Sequence, residues 1–273
     1  MNERLENDPQ SGAETRGVAL GFVGIDRFEL PFQIAGWDQS GGEQTVHAKV
    51  SLGVSTAAEK RGIHMSRLVE GLSSCRTSFS LETLPAFLDD VAENQNAERA
   101  EIEIDFAWFV ERAAPVTGKR SQQAIRTTYF ANWLRSSQSG SVGYKIHVPV
   151  TTLCPCSKEI SDYGAHSQRG WIVASLKWPA QLQKTEDFLF PAEARAILET
   201  CGSAPIYPLL KRVDERHVTM QAYETPGFVE DLARQSALKL SGESRVQSFR
   251  IDIRNEESIH THDAVARFEA DWH

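Results

Sequence analysis

Thr151 to Gly170 reads T-T-L-C-P-C-S-K-E-I-S-D-Y-G-A-H-S-Q-R-G and follows the apolar run Val148-Pro149-Val150. Two of the four cysteines in the chain lie here, one residue apart. In an extended segment residues i and i+2 point to the same face, so Cys154 and Cys156 are expected to look into one site. Pro155 between them fixes φ and donates no hydrogen bond. That suits a strand end where the chain leaves a sheet, and not a strand centre.

A disulfide between thiols this close is hard to form, because the required Cα spacing and side-chain directions are difficult to reach. A structural zinc ribbon needs four thiolates or thiol/imidazole pairs, and only the isolated Cys75 and Cys201 remain. Cysteines also serve as small buried hydrophobes. The polar company of Lys158, Glu159, His166 and Arg169 argues against an inert core thiol.

Strands flank this stretch, Gly143 to Thr152 before it and Gly170 to Trp178 after it. Helices are expected at Pro191 to Cys201, with proline in the first turn, and at Phe228 to Leu240. Alternating strands follow at Val246 to Asn255 and His262 to Ala270, with Phe249, Ile251 and Ile253 on one face, and Val265 and Arg267 together on one face of the last. The first half has the same order. Strands are expected at Phe28 to Ile34 and Gln44 to Val54, joined through Gly41-Gly42. Ser66 is expected to cap a short helix through Leu72, and Ser80 a second helix, with Thr83 in place of the Glu of a capping box. Strands Ala100 to Val110 and Gln122 to Leu134 close the half. The order β-β-α-α-β-β thus occurs twice, which gives an α+β architecture of antiparallel sheets with helices on one face. The polar residues 1–16 read as a flexible tail, 17–136 as the first module and 137–273 as the second.

The length of 273 residues and an apolar share of 41% suffice for a packed core. A net charge of −8 argues against a general nucleic-acid binder. No apolar run reaches membrane-spanning length, and no charged-then-apolar leader opens the sequence. Four cysteines without a framework pattern suit a reducing cytoplasm.

Other segments carry candidate chemistry. His64-Met65-Ser66-Arg67 at a helix start offers backbone N–H groups and a guanidinium to a phosphate, or is simply a cap with a surface arginine. The proline-bearing stretch 203–215 reads as a loop whose Asp214-Glu215 is either a site pair or a solvated surface pair. Glu230 near a helix start is favourable by the helix dipole alone. His260 and His262, between the last two strands, share a face if extended and read equally as ligands or as turn histidines.

The cysteine stretch resembles GTP cyclohydrolase IB, the metal-dependent type. Lys60-Arg-Gly-Ile-His-Met-Ser-Arg67, Tyr207-Pro-Leu-Leu-Lys-Arg212, Asp214-Glu215 and Phe228-Val-Glu-Asp-Leu232 match that family in the same order, after about residue 17. The resemblance implies two tandem ββααββ tunnelling-fold modules and a homotetramer with sites near subunit interfaces. It implies Cys154, Glu215 and His260 as ligands of a divalent Zn, Mn or Fe ion, with His166 as a further ligand or acid/base group. It implies Glu230 as the guanine acceptor. His64, Ser66, Arg67, Lys158, Lys211 and Arg212 are candidates for holding the substrate, GTP. The implied reaction yields 7,8-dihydroneopterin triphosphate and formate, the first step of pterin and folate synthesis. Three protein donors leave a position for water, which marks a catalytic site. The family commonly has Asn where Ser167 stands, and Tyr and Glu where His217 and Met220 stand; none of these is an expected ligand.

Three rivals frame this reading. A zinc nucleobase deaminase would show H-x-E and P-C-x-x-C, and this stretch has neither. A thiol-nucleophile enzyme of the same fold, such as a deazaguanine nitrile reductase, would keep Cys and Glu without needing Glu215 and His260 at a metal. A non-catalytic metal-binding protein would need a closed four-donor site.

Overall fold

The computed structural model describes residue 10 and residues 12–75, 78–181 and 185–272. The first half runs β1 (Leu20–Ile34), β2 (Gln44–Thr56), α1 (Met65–Ser74), α2 (Leu84–Asn94), β3 (Arg99–Ala113) and β4 (Arg120–Leu134). The second half runs β5 (Ser139–Leu153), α3 (Pro155–Ile160), β6 (Ser167–Pro179), α4 (Pro191–Glu199), β7 (Ala204–Pro205), α5 (Arg212–Glu224), α6 (Val229–Ser241), β8 (Ser248–Asn255) and β9 (Ala264–Ala270). The β-β-α-α-β-β order expected twice is present twice, with α3, β7 and α5 added to the second copy.

All pairings between these strands are antiparallel, and one sheet runs β1-β2-β3-β4-β5-β6-β8-β9 with β7 beside β5. Strand alternation decides its two faces. Ala100, Ile102, Ile104, Phe106 and Trp108 of β3 are buried, while Glu101, Glu103 and Asp105 lie on the opposite face. Phe249, Ile251 and Ile253 repeat the pattern in β8. The helices cover the apolar face: α2 packs on β3 and β4, α4 on β5, and α6 on β8 and β9. Burying each large aliphatic side chain there stabilises the fold by roughly 1.5–3 kcal/mol. The other face carries ion pairs such as Arg126–Asp105 at 2.7 Å and Arg267–Asp252 at 2.6 Å.

Pro149 is tolerated inside β5 because of where the neighbouring strands pair. Pairing of β4 with β5 spans Thr127↔Ile146 to Leu134↔Ser139, so β5 has left β4 before Pro149. Beyond it, β7 takes the vacated side at Val150 and Thr151. Gly202 lets that approach happen: a Cβ there would lie 2.5 Å from the Val150 side chain. The C-terminal end of β5, which leads into Cys154, is thereby held on both sides.

Several local expectations change. His64, not Ser66, is the N-cap of α1; Ser66 lies inside the helix and is exposed. Ser80 begins a turn ahead of α2, whose N-cap is Thr83. The reciprocal bond expected between the two is present, Ser80 N–H donating to Thr83 Oγ1 at 2.9 Å. The segment after Cys154 is helical and not extended, because Pro155 is preorganised for a first helical position. Residues 212–215 are not loop but the first turn of α5. Of the tail expected over 1–16, residues 1–9 and 11 lie outside the described residues. Ala13 bridges to Lys60, Glu14 N–H donates to Glu59 O at 2.9 Å, and Arg61 N–H donates to Gly12 O at 3.3 Å. Gly12 to Glu14 are therefore docked on the loop before α1.

Candidate active site

The end of β5, the start of β6 and the N-terminus of α3 are tied into one knot. Cys154 is the N-cap of α3, and its Sγ accepts a hydrogen bond from Ser157 N–H at 3.5 Å. Cys154 N–H donates to His166 O at 3.2 Å. His166 N–H donates to Ser157 Oγ at 3.2 Å, which itself donates to Cys154 O at 3.1 Å. These bonds place Cys154 and His166 side by side although twelve positions separate them in the sequence. Both are half-buried. Cys156, one residue along the helix, is exposed, so the two thiols do not share one environment.

The His166 ring is oriented from behind. Its Nδ1 lies 2.9 Å from Gln168 Oε1, and Gln168 Nε2 donates to the fully buried Thr152 Oγ1 at 3.0 Å. With the amide oxygen on this side, Nδ1 is the donor, which leaves Nε2 as the nitrogen that can serve a site. Ser258 Oγ, from the loop before β9, approaches the same Nδ1 at 3.4 Å. That loop also carries His260 and His262, both exposed, with rings stacked at 5.2 Å.

Glu230 lies exposed in the first turn of α6, and its helix reaches the knot through Gly227 N–H, which donates to Leu153 O at 3.1 Å. Leu153 immediately precedes Cys154. Lys158 does not point free into solvent: its Nζ donates to Tyr223 O at 2.6 Å and sits 4.2 Å from the Tyr223 ring centroid. It joins α3 to the end of α5. Lys211, Arg212 and Glu215 are exposed at the other end of α5.

Asp214, the neighbour of Glu215, is not a surface residue. Its side chain is fully buried and accepts from Val116 N–H, Thr117 N–H, Thr117 Oγ1 and Lys211 N–H at 2.7 to 2.9 Å. Burial pushes its carboxyl up, but these hydrogen bonds outweigh burial and hold it well below the usual carboxylate range.

The remaining candidates lie in the first half. His64 and Arg67 line a cavity of about 600 Å³ together with Lys60, Asn94 and Gln95. Gln95, itself buried, holds the loop by accepting from His64 N–H at 3.2 Å and donating to His64 O at 2.9 Å. Arg67 Nη1 donates to Asn94 O at 3.1 Å. Burial lowers the Lys60 ammonium pKa, and the nearby Arg67 adds to the effect. Ser66 is not among the lining residues. A different cavity of about 770 Å³ opens on the charged sheet face, lined by residues that include His147, Trp171 and Arg254 and by none of the expected site residues.

Among the described residues, no three His, Cys, Asp or Glu side chains are grouped closely enough to hold a metal ion. The expected set Cys154, Glu215 and His260 is thus not gathered as a three-donor group in the single chain. The donor types at its centre suit a metal: a half-buried cysteine whose backbone pairs with that of His166, and an imidazole anchored at Nδ1.

A family model described as Type I GTP cyclohydrolase folE2 matches residues 7–266. The chain belongs to the type I GTP cyclohydrolase FolE2 family. Similar members include GTP cyclohydrolase FolE2 2 of Dechloromonas aromatica, 38% identical over 264 residues, covering 97% of this chain and 94% of that protein. GTP cyclohydrolase FolE2 of Thermotoga petrophila is 39% identical over 261 residues, covering 95% of each. Among solved structures, the uricase of Arthrobacter globiformis aligns with a TM-score of 0.54 at 10% identity, over 93% of this chain and 94% of that one. That likeness concerns the fold alone. The sequence named Asp214 beside Glu215 but not its burial, and Gln168 and Gln95 were not singled out at all. Gln168 had a signal, since it follows His166 by two positions at a strand start.

Proposed function

We infer that this member of the FolE2 family is a GTP cyclohydrolase, hydrolysing GTP to 7,8-dihydroneopterin triphosphate and formate at the knot around Cys154 and His166. The reaction feeds pterin and folate synthesis. The observation that carries the placement is the pairing of Cys154 with a His166 ring fixed by Gln168. We place the chain in the metal-dependent type IB group. Cys154, Glu215 and His260 would hold a divalent Zn, Mn or Fe ion, with His166 as an alternative donor or else the acid/base group, since its Nε2 cannot serve as both. Such an ion, when bound, makes hydroxide available near neutral pH.

The chain's own residues supply the rest. Glu230 accepts two hydrogen bonds, from guanine N1–H and the exocyclic amine, a donor pair that adenine lacks. His166, held at Nδ1, exchanges protons through Nε2 alone. It is the group to protonate the imidazole-ring nitrogen of guanine as C8 takes up water. The triphosphate needs cations. Lys211 and Arg212 lie at the exposed start of α5, while Lys60, His64 and Arg67 surround a separate cavity. Their placement supports a site completed by a second copy in a homotetramer. Exposed Ile160, Tyr163 and Ile259 near the knot suit such a covered face. No helix among the described residues is long and apolar enough to cross a membrane. A cytoplasmic setting is proposed, with no nucleic-acid partner.

The test is formate release from GTP by metal-stripped protein, with Zn²⁺, Mn²⁺ and Fe²⁺ added back anaerobically. Activity that disappears with chelator and returns with metal supports the reading. Full formate release in chelator would overturn the metal-dependent reading, and no formate from GTP with any of the three metals would favour the thiol-nucleophile alternative.

A further inference from the structure

The β3–β4 hairpin belongs to the first half of the chain but holds a segment of the second. Its tip, residues 114–119, closes through Ala114 N–H to Lys119 O at 2.9 Å and turns at Gly118, whose φ is +64°. The tip is placed where Val116 N–H and Thr117 N–H both reach Asp214 Oδ1, at 2.9 and 2.8 Å. Thr117 Oγ1 reaches Asp214 Oδ2 at 2.7 Å. The same hairpin grips the segment at its other end. Arg112 near the end of β3 lies 4.5 Å from the Tyr207 ring centroid and pairs with buried Glu199 at 2.7 Å.

A helix N-terminus needs only one acceptor at this position, and Lys211 N–H supplies that bond. The three further bonds come from residues almost a hundred positions away, so ordinary capping does not account for them. Both carboxylate oxygens are occupied and the side chain is fully buried, which removes Asp214 itself from contact with substrate or metal. Consecutive helical residues point about 100° apart. With Asp214 locked inward, Glu215 faces outward along with Lys211 and Arg212.

We propose that Asp214 is a positioning residue for Glu215, fixing the first turn of α5 by clasping the β3–β4 hairpin through Thr117. The proposal rests on the reading above that Glu215 acts at the site. The hairpin sets where Tyr207 to Glu215 sits relative to Cys154, so a contact in the first half controls chemistry in the second.

The experiment compares Asp214→Asn, Thr117→Val, Thr117→Ser and the Asp214→Asn/Thr117→Val pair in the full chain. It reads kcat and KM for formate release, bound divalent metal, oligomer size and far-UV circular dichroism. Asn presents an amide donor where a second acceptor is required. Asp214→Asn should lower kcat and metal retention about 10–100-fold with spectrum and oligomer kept. Thr117→Val should lower both less, and Thr117→Ser should restore them. The double variant should be no worse than Asp214→Asn, because both residues act through one contact. Full turnover and metal content in Asp214→Asn overturns the proposal, as do losses that simply multiply. Should Asp214→Asn fail to fold, Thr117→Val at the exposed tip decides: unchanged kcat overturns it, and a loss that Thr117→Ser restores supports it. A Glu215→Gln control separates the two levels. Unchanged turnover there refutes the role of Glu215, whereas loss there alongside an unaffected Asp214→Asn refutes the positioning alone.

Discussion

His166 and Gln168 are joined by a 2.9 Å contact from the ring Nδ1 to the amide oxygen, and Gln168 is itself fixed by Thr152 in the sheet. A side chain that sets the tautomer of an imidazole tunes what its other nitrogen can do. Gln168→Leu removes the acceptor while keeping the bulk. Formate release should fall about 10–100-fold, with bound metal falling in parallel. Gln168→Glu retains an acceptor and should lose less. Equal activity of Gln168→Leu and the unaltered chain would mean that Nδ1 is not held through this contact.

The paired cysteines should not be equivalent. Cys154 is half-buried and its backbone N–H donates to His166 O, whereas Cys156 is exposed on α3. Cys154→Ala should reduce formate release by orders of magnitude and lose metal while the fold persists, since the core does not depend on this thiol. Cys156→Ala should cost at most about 10–100-fold. Formate release and metal content of the two variants, measured side by side, decide it. The reverse ranking assigns the site to the other thiol.

The sheet was legible in the sequence because strands half-buried on one face must alternate. Ile102-Glu103-Ile104-Asp105-Phe106 and Phe249-Arg250-Ile251-Asp252-Ile253 carry that alternation openly. The tandem order followed from it. Helix α5 was not legible, since only Asp214 and Ala222 are buried in its 13 residues and no apolar face marks it. The burial of Asp214 was hidden for a related reason: its partners lie in the tip of a hairpin almost a hundred positions earlier, a distance that local patterns do not cross. The cysteine stretch showed its chemistry by composition, but the extended geometry that put both thiols on one face gave way to the helix that Pro155 starts. Pairing of Cys154 with His166 depends on the β5–β6 register, Leu153 opposite Ser167, which no spacing rule supplies.

His147 on β5 gives the fold's stability a pH dependence. Burial lowers its imidazole pKa, and Arg126 on β4, Lys145 on β5 and Arg254 on β8 add to that more than Asp105 on β3 opposes it. Between the lowered folded value and the ordinary value of about 6.5, the unfolded chain binds a proton that the folded chain does not. Stability from this group therefore rises with pH across that window and falls on acidification. His147→Gln should flatten the slope of unfolding free energy below the ordinary imidazole value of about 6.5. Urea midpoints over a pH series measure it, and an unchanged slope would remove His147 as the source.

Guanine selectivity should rest on Glu230. It projects from the first turn of α6, and the Gly227–Leu153 bond holds that turn one residue from Cys154. The carboxylate offers acceptors to both guanine N1–H and the exocyclic amine, and the helix N-terminus favours its negative charge. Glu230→Gln replaces one acceptor by a donor facing a donor. A buried polar group left without its partner costs about 1–3 kcal/mol, so GTP affinity should fall by about one to two orders of magnitude. Because Glu230 is exposed and its helix is capped by Asp231, which accepts from Phe228 N–H at 3.0 Å, the melting temperature should hardly move. Adenine presents an amine at C6 and no N1–H, so ATP should gain nothing from the unaltered carboxylate. Binding of GTP and ATP by calorimetry to both proteins makes the comparison. Unaltered GTP affinity in Glu230→Gln, or an equal loss for ATP, would place guanine recognition elsewhere.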